Sequence, residues 1–99
     1  MNISIQTVHF DADEKLLEFV QKKLDKLETF HDRITKVEVY LKLDSMSHAI
    51  KEKVVEIKIL IPKHECFVKA SSNSFQTAFD EAFNSITNQL VKKKEKLAI

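Results

Sequence analysis

Four stretches of the chain alternate apolar and polar residues, which is the pattern of a strand with one buried and one solvated face. They are ISIQTVHF at 3–10, TKVEVYLKL at 35–43, KVVEIKILI at 53–61 and ECFVKAS at 65–71. In the first strand the alternation changes phase near Gln6 and Thr7, which favours a bulge or a shift there. DSMSHAIKE at 44–52 has no apolar periodicity and is predicted to be a loop.

Two further segments carry apolar residues at three- and four-residue steps, the pattern of a helix with one buried side. The first predicted helix covers 14–30, with Asp13 as its N-cap. The second covers 75–96, with Ser74 as its N-cap. Leu97 continues the apolar stripe of the second helix, so the lysines before it are predicted to belong to that helix rather than to a loose tail.

The predicted order of elements is β-α-β-β-β-α, an α+β fold. A strand–helix–strand start favours a parallel crossover, and two short connections then favour an antiparallel meander. Because the strands leave one face of the sheet solvated, both helices must pack side by side on the other face. We therefore expect a four-stranded mixed sheet in a single domain that covers residues 1–99, with no repeat and no linker.

Composition narrows the classes of protein that this chain can belong to. The 99 residues include no glycine, which excludes P-loops and dinucleotide-binding folds because their backbones must approach phosphate closely. The chain has one cysteine, no secretory signal pattern and no apolar run long enough to cross a bilayer. We expect a soluble cytoplasmic protein. Sixteen basic and fifteen acidic residues nearly cancel, so binding of an anion depends on where the charges lie.

Catalytic and metal-binding patterns are weak. The four histidines, His9, His31, His48 and His64, show no metal-ligand spacing, and we interpret them as surface or half-buried structural residues. Cys66 alternates with Val68 and Ala70, which predicts a small buried residue; a nucleophilic role stays an alternative. No carboxylate pair has the spacing of an acid–base dyad. The sequence predicts no metal, no cofactor and no enzyme.

The remaining chemical signal is a set of lysines on both helices. Lys15, Lys22 and Lys26 share one side of the first helix, with Lys23 beside them. Lys92, Lys93, Lys94 and Lys96 follow at the end of the second helix. Lysines at a helix carboxy end also interact favourably with the helix dipole, which is the simpler explanation. If the helices pack side by side, however, the two sets join in one strip suited to a phosphate backbone. Tyr40 alone would serve for stacking on the solvated face, so recognition by shape is favoured.

Two segments resemble the ribosome hibernation-promoting factor family. LLEFVQKKLDKLETFHDRITKVEVYLKLD at 16–44 is similar to its first helix and second strand, and SFQTAFDEAFNSITNQLVKKKEKL at 74–97 is similar to its closing helix and lysine-rich end. The resemblance implies a domain related in shape to double-stranded RNA-binding domains. It also implies binding to the 16S rRNA of the small ribosomal subunit, in the mRNA and tRNA channel, with reversible inhibition of translation in stress or stationary phase.

By the same resemblance, Lys23, Lys26, Arg33, Lys92, Lys94 and Lys96 match basic residues of the family. Ser85 and Asn88 stand where relatives often carry a lysine and an arginine, so the middle of the second helix is less basic than the family pattern. The chain stops at Ile99, which resembles the short form, without the C-terminal domain or acidic tail of longer relatives. A role in ribosome pairing would need a separate dimerisation factor.

The predicted rRNA-binding residues are Lys15, Lys22, Lys23, Lys26, Arg33, Lys92, Lys93, Lys94 and Lys96. No small-molecule substrate and no membrane partner is predicted. The alternative is a protein–protein interaction module of the same fold that does not bind ribosomes and pairs through a free strand edge.

Overall fold

The computed structural model describes residues 1–46 and 50–97, with side chains for 1–44 and 52–93. Its elements are β1 (Asn2–Val8), α1 (Glu14–Leu24), a 3₁₀ turn (Leu27–Thr29), β2 (Lys36–Met46), β3 (Ile50–Ile61), β4 (His64–Ser72) and α2 (Phe75–Leu97). The strands form one sheet in the order β1-β2-β3-β4. β1 pairs with β2 in parallel, and the other two pairs are antiparallel. The predicted fold class is therefore confirmed.

One apolar core lies between the sheet and the two helices. The alternating residues of β2 and β3 supply the sheet side, and the apolar stripes of both helices supply the other side. The largest fully buried apolar side chains come from both layers: Phe79, Leu24, Leu27, Leu41, Ile57, Ile59, Ile86 and Leu90. Both helices cover the same face of the sheet, as the alternation of the strands predicts.

Both predicted N-caps are confirmed. The Asp13 carboxylate accepts a hydrogen bond from the Leu16 backbone N–H at 2.8 Å and so satisfies a free donor of the first turn. Ser74 Oγ accepts a longer hydrogen bond, 3.5 Å, from the backbone N–H of Thr77. The Ser74 carbonyl accepts from the Ala78 N–H at 3.0 Å, which closes the first turn of α2.

The first helix ends earlier than the predicted boundary at residue 30. α1 stops at Leu24, and the chain then tightens into the 3₁₀ turn. The hydroxyl of Thr29 donates to the Lys26 carbonyl at 2.7 Å, a local bond that competes with the helical pattern. Leu27 is nevertheless fully buried. The apolar spacing that predicted a longer helix therefore does mark core residues, but Leu27 reaches the core from the 3₁₀ turn and not from α1.

The predicted bulge in the first strand is wrong. β1 stays in unbroken register with β2 from Asn2 to Val8. The change of phase instead marks the end of the strand, because His9 has a φ of 68° and turns the chain away from the sheet. The turn directs Phe10 onto Phe75, where the two rings stack with centroids 4.6 Å apart.

The loop predicted at 44–52 is also largely wrong. β2 continues to Met46 and β3 begins at Ile50, so most of this stretch extends the antiparallel ladder beyond the core. Backbone hydrogen bonds between strands do not require buried side chains, and for that reason the apolar pattern did not reveal the extension. Residues 47–49 lie outside the described residues.

We expect Phe79→Ala to lower the free energy of unfolding by about 3–5 kcal/mol, because it removes a fully buried ring and leaves a cavity between the helices. Phe67→Ala is the matched control, since that ring is 51% exposed and its loss should cost at most about 1 kcal/mol. Urea unfolding followed by circular dichroism measures both. Equal losses would contradict this account of the core.

Candidate nucleic-acid interface

The two helices lie side by side and point in the same direction. Phe19 packs edge-on against Phe79 with ring centroids 5.8 Å apart, and the later Phe30 packs against Phe83 at 6.2 Å. The contacts advance together along both segments, so α1 and α2 run parallel. The topology explains this, because each helix follows a strand with the same orientation: β1 is parallel to β2, and β4 is antiparallel to β3.

The shared direction places both helix carboxy ends at one end of the sheet. In the last turns of α2, Gln89 Nε2 donates to the Phe67 carbonyl of β4 at 3.3 Å. Lys93 lies close enough to Cys66 for its charge to act on the thiol. Both β4 residues stand near the start of that strand, beside the turn that joins it to β3. The carboxy ends of the helices and this turn therefore lie at the same end of the molecule.

Basic side chains collect at this end, all of them exposed except the half-buried Lys93. We define the basic end as Lys22 and Lys26 near the end of α1, Arg33 in the following loop, Lys63 in the β3–β4 turn, and Lys92 and Lys93 of α2. The carboxy terminus of a helix carries partial negative charge, so cations there are favoured. Two such termini hold several cations on one surface, and this surface suits a partner with phosphate groups.

Lys63 is a basic residue of this surface that the sequence analysis did not assign to the site. It is the second residue of the two-residue turn that Pro62 begins. Its φ of 65° lies in the left-handed region, which lysine enters at some cost. The turn was predicted, but its charge was not considered. The predicted antiparallel meander could have indicated the position of Lys63, because it returns this turn to the end where α2 finishes.

Lys23 connects the two helices. Its Nζ lies 3.3 Å from Asp80 Oδ1 of α2 and 5.6 Å from the centroid of the Phe19 ring. The ammonium is therefore partly neutralised and held between the helices. Such a partly exposed pair contributes at most about 1 kcal/mol to stability. Lys23 contributes less free positive charge to the surface than its neighbours do.

The predicted strip of lysines is not continuous. Lys15 lies in the first turn of α1 beside Asp13 and Glu14, roughly 16 Å along the axis from Lys26. The structure does not bring it to the basic end. Exposed polar residues in the middle of α2 carry no positive charge: Glu81, Asn84, Ser85 and Asn88. Basic residues of the helix pair are therefore concentrated at one end, where the exposed Asp25, Glu28 and Asp32 offset part of their charge.

Two predicted lysines near the chain end cannot be placed as side chains. Lys94 and Lys96 belong to α2, which continues to Leu97. Their side chains, and that of Leu97, lie outside the described residues. Their part in the surface stays a prediction, supported by the helical backbone that carries them past Lys93.

Three lysines on the solvated face of the sheet are paired with carboxylates, whereas Lys69 on that face takes part in no ion pair within the described residues. The pairs are Lys36–Glu38 at 3.0 Å, Lys42–Glu56 at 2.9 Å and Lys58–Glu65 at 2.9 Å. The hydrogen bond from Lys36 lowers the pKa of the Glu38 carboxyl, and the hydrogen bond to Glu65 raises the pKa of Lys58. These pairs cancel local charge, so this face is a weaker phosphate surface than the basic end.

An exposed aromatic residue also lies on that face. Besides Tyr40, which was predicted as the aromatic residue of this face, Phe67 of β4 is 51% exposed and stands opposite Lys58 in the register. Its alternation with Cys66 and Val68 already placed Phe67 on the solvated face. The short strand has few apolar residues, so its alternation chiefly indicates the buried Cys66 and Val68.

Cys66 is buried, as predicted, with 1% of its surface exposed. Burial raises the pKa of its thiol, and the nearby charge of Lys93 acts weakly in the opposite direction. The thiol therefore stays protonated at neutral pH, which disfavours a nucleophilic role. Cys66 belongs to the core rather than to a reactive site.

The histidines differ in burial. His9 and His64 are exposed, whereas His31 is 1% exposed, so the expectation of a surface or half-buried residue is wrong for His31. Its Nδ1 accepts a hydrogen bond from the backbone N–H of Arg33 at 3.0 Å. His48 lies outside the described residues. Within the part of the chain that the structure describes, no group of His, Cys, Asp and Glu has metal-binding geometry.

An open cavity of about 410 Å³ lies at the amino ends of the helices, away from the basic end. Phe10, Phe75 and Asp13 contribute to its lining. In the described part of the chain, no helix combines the length and the apolar character needed to span a membrane.

Comparison with known proteins identifies the family. A family model described as "Sigma 54 modulation protein / S30EA ribosomal protein" matches residues 3–98. The chain belongs to this family. The ribosome hibernation promoting factor of Pseudomonas putida is 29% identical over 96 residues, which cover 97% of this chain and 89% of the relative. That of Escherichia coli K12 is 30% identical over 97 residues, which cover 98% and 97%. The resemblance found in the sequence is confirmed.

Solved structures share the fold of this family member. A ribosomal subunit interface protein from Coxiella burnetii superposes with a TM-score of 0.84 at 21% identity, over 96% of this chain and 99% of that one. The N-terminal domain of Thermus thermophilus Protein Y gives 0.79 at 22% identity, over 93% and 98%. The β-α-β-β-β-α arrangement is thus common to all three chains.

We expect the Cys66 thiol of the folded protein to react with a disulfide reagent at neutral pH far more slowly than the same thiol in 6 M guanidinium chloride, about a hundredfold or more, because burial removes access and raises the pKa. Absorbance of the released thiolate measures both rates. The unfolded chain is its own control. Similar rates in the two states would contradict the assignment of Cys66 to the core and restore the alternative of a reactive site.

Proposed function

We propose that this protein is a ribosome hibernation factor that binds the small ribosomal subunit and reversibly inhibits translation in stress or stationary phase. Its membership of the family supports this, since relatives of nearly the same length are named ribosome hibernation promoting factors. The observation in the structure that carries the proposal is the basic end, where two parallel helices finish together. Cations held on one rigid surface favour a polyphosphate partner.

The proposed partner is the 16S rRNA backbone in the channel that mRNA and the tRNA anticodon ends normally occupy. Lys22, Lys26, Arg33, Lys92 and Lys93 take part in no ion pair within the described part of the chain, so their charges are available to phosphate. Lysines act as point charges and arginine as a planar donor, and neither needs a particular base. Binding therefore depends on the shape of the rRNA and the spacing of its phosphates.

The other predicted residues have unequal parts in this proposal. Lys94 and Lys96 extend the contact along the last turns of α2. Lys23 contributes mainly by holding α1 against α2, since it is paired with Asp80. Lys15, at the far end of α1, makes at most a separate and weaker contact.

Inhibition by occupancy requires no catalysis, so the protein acts as a reversible block and not as an enzyme. It acts in the cytoplasm, because its partner is the ribosome. This single domain is sufficient for the contact. Formation of ribosome pairs requires a separate dimerisation factor.

The alternative, an interaction module that pairs through a strand edge, finds less support at β4. There the Phe67 carbonyl already accepts a hydrogen bond from Gln89 of α2. A helix side chain that covers an edge carbonyl weakens that edge as a template for a second strand.

The decisive experiment neutralises the terminal lysines. We expect Lys92→Gln, Lys94→Gln and Lys96→Gln together to weaken binding to isolated small subunits at least about tenfold. The slope of the logarithm of the binding constant against the logarithm of salt concentration should become shallower by about two to three. The loss of three phosphate contacts is the reason. Sucrose-gradient sedimentation across a salt series measures both quantities.

The matched control removes the same charge from the sheet face: Lys42→Gln, Lys58→Gln and Lys69→Gln. We expect near wild-type binding, because two of these lysines are already paired with carboxylates and all three lie on the solvated face of the sheet, opposite the helices. If both triple variants lose binding equally, net charge rather than the basic end determines association. If neither does, the basic end is not the contact.

Salt also separates ribosome binding from the alternative. A protein held by phosphate contacts dissociates steeply between low and moderate salt, whereas an interaction module shows little salt dependence and forms a stable oligomer at micromolar concentration. Light scattering of the free protein in the same salt series measures the oligomer. A salt-independent dimer that never sediments with small subunits would support the alternative.

A further inference from the structure

His31 has an unusual environment for a histidine. It is 1% exposed, and its Nδ1 accepts a hydrogen bond from the Arg33 backbone N–H at 3.0 Å. An accepting Nδ1 carries no proton, so the neutral ring holds its proton on Nε2. Nε2 is buried and has no hydrogen-bond partner within the described part of the chain. The ring therefore satisfies one nitrogen and leaves a buried donor unpaired at the other.

Packing alone does not require an imidazole at this position. A buried N–H without a partner is destabilising, and an apolar side chain of similar size would fill the same space without that cost. What the imidazole does provide is an acceptor for Arg33. The His31 side chain accepts a hydrogen bond from the backbone N–H two residues later in the chain. An Asx turn has the same pattern, with an Asp or Asn side chain as the acceptor.

The rest of the loop is fixed to the core around this turn. The His31 N–H donates to the Leu27 carbonyl at 3.2 Å, Phe30 packs against Phe83, and Ile34 is 8% exposed. The two residues between these anchors, Asp32 and Arg33, are exposed. The loop therefore presents a basic residue from a backbone that is held on both sides.

We propose that His31 is a positioning residue for Arg33: its Nδ1 fixes the Arg33 backbone so that the guanidinium faces the phosphate partner of the basic end. The proposal rests on the proposed function. A backbone fixed before binding loses less conformational entropy on association, so the arginine contact becomes stronger without a new interaction. The unpaired Nε2–H is the cost of placing this acceptor in the core.

The first test needs no ribosome. The ¹⁵N shifts of the imidazole at pH 7.5 report which nitrogen carries the proton, and hydrogen exchange reports protection of the Arg33 amide. We expect the Nε2–H tautomer and an Arg33 amide at least about tenfold more protected than the exposed Asp32 amide. A proton on Nδ1, or an unprotected Arg33 amide, overturns the proposal whatever the protein binds.

The second test separates positioning from packing. His31→Leu keeps an apolar side chain in the core but removes the acceptor, so we expect affinity for small subunits to fall about threefold to tenfold while Tm stays equal or rises. His31→Asn restores the acceptor of an Asx turn but leaves space unfilled, so Tm should fall while affinity stays within about twofold of wild type. Affinity that simply follows Tm through both variants overturns the proposal.

The third test asks whether His31 acts through Arg33. In an Arg33→Ala background, we expect His31→Leu to cause no further loss of affinity, because the two changes remove the same contact. An undiminished loss in that background overturns the proposal. So does normal binding by Arg33→Ala alone, although the proposed function then stands on the other basic residues. A wild-type protein that binds no small subunit overturns the proposed function itself, and the resonance data still decide whether His31 holds Arg33.

Discussion

The packing of two parallel helices on one face of the sheet is the constraint on which the rest of this structure depends. The rings of Phe19 and Phe79 and those of Phe30 and Phe83 set the helices against each other. Aromatic pairs of this kind contribute about 0.5–1.5 kcal/mol beyond the area that they bury. Because the helices are parallel, their dipoles do not cancel, and both carboxy termini lie at one end of the molecule.

This arrangement explains how a chain with a net charge of only +1 gathers several basic residues on one surface, where the exposed carboxylates of Asp25, Glu28 and Asp32 offset part of their charge. The negative ends of both helix dipoles favour cations at one end, and the amino end of α1 favours the acidic residues Asp13 and Glu14. On the opposite face of the sheet, Lys36, Lys42 and Lys58 are paired with carboxylates. Basic residues are thus grouped in space although the chain as a whole carries almost no excess of them, and this grouping leaves one surface suited to phosphate.

The same core also holds the parts of the surface in place. Lys23 connects α1 to Asp80 of α2, Gln89 covers a carbonyl at the edge of β4, and the buried ring of His31 holds the loop that carries Arg33. Each contact joins an exposed position to the layer beneath it. These contacts restrain the exposed positions in the free protein, which reduces the conformational entropy that binding would cost.

Much of the fold was predictable from local patterns. Alternation in TKVEVYLKL and KVVEIKILI identified strands with one buried face, and the apolar steps after Asp13 and Ser74 identified the helices with their caps. These signals are reliable because burial of apolar area determines them residue by residue. The end of α1, the length of the β2–β3 hairpin and the turn at His9 were not predicted correctly, because backbone hydrogen bonds and a left-handed φ leave little trace in apolar periodicity.

The sequence by itself therefore determined the order of the elements, the face that each one buries and the lysines available for an anionic partner. Only the tertiary structure decided which charges lie together. It separated Lys15 from the basic end, paired Lys23 with Asp80, added Lys63 and placed His31 beneath Arg33. The physical reason is that charge–charge distances depend on contacts between residues far apart in the chain, whereas burial patterns are local.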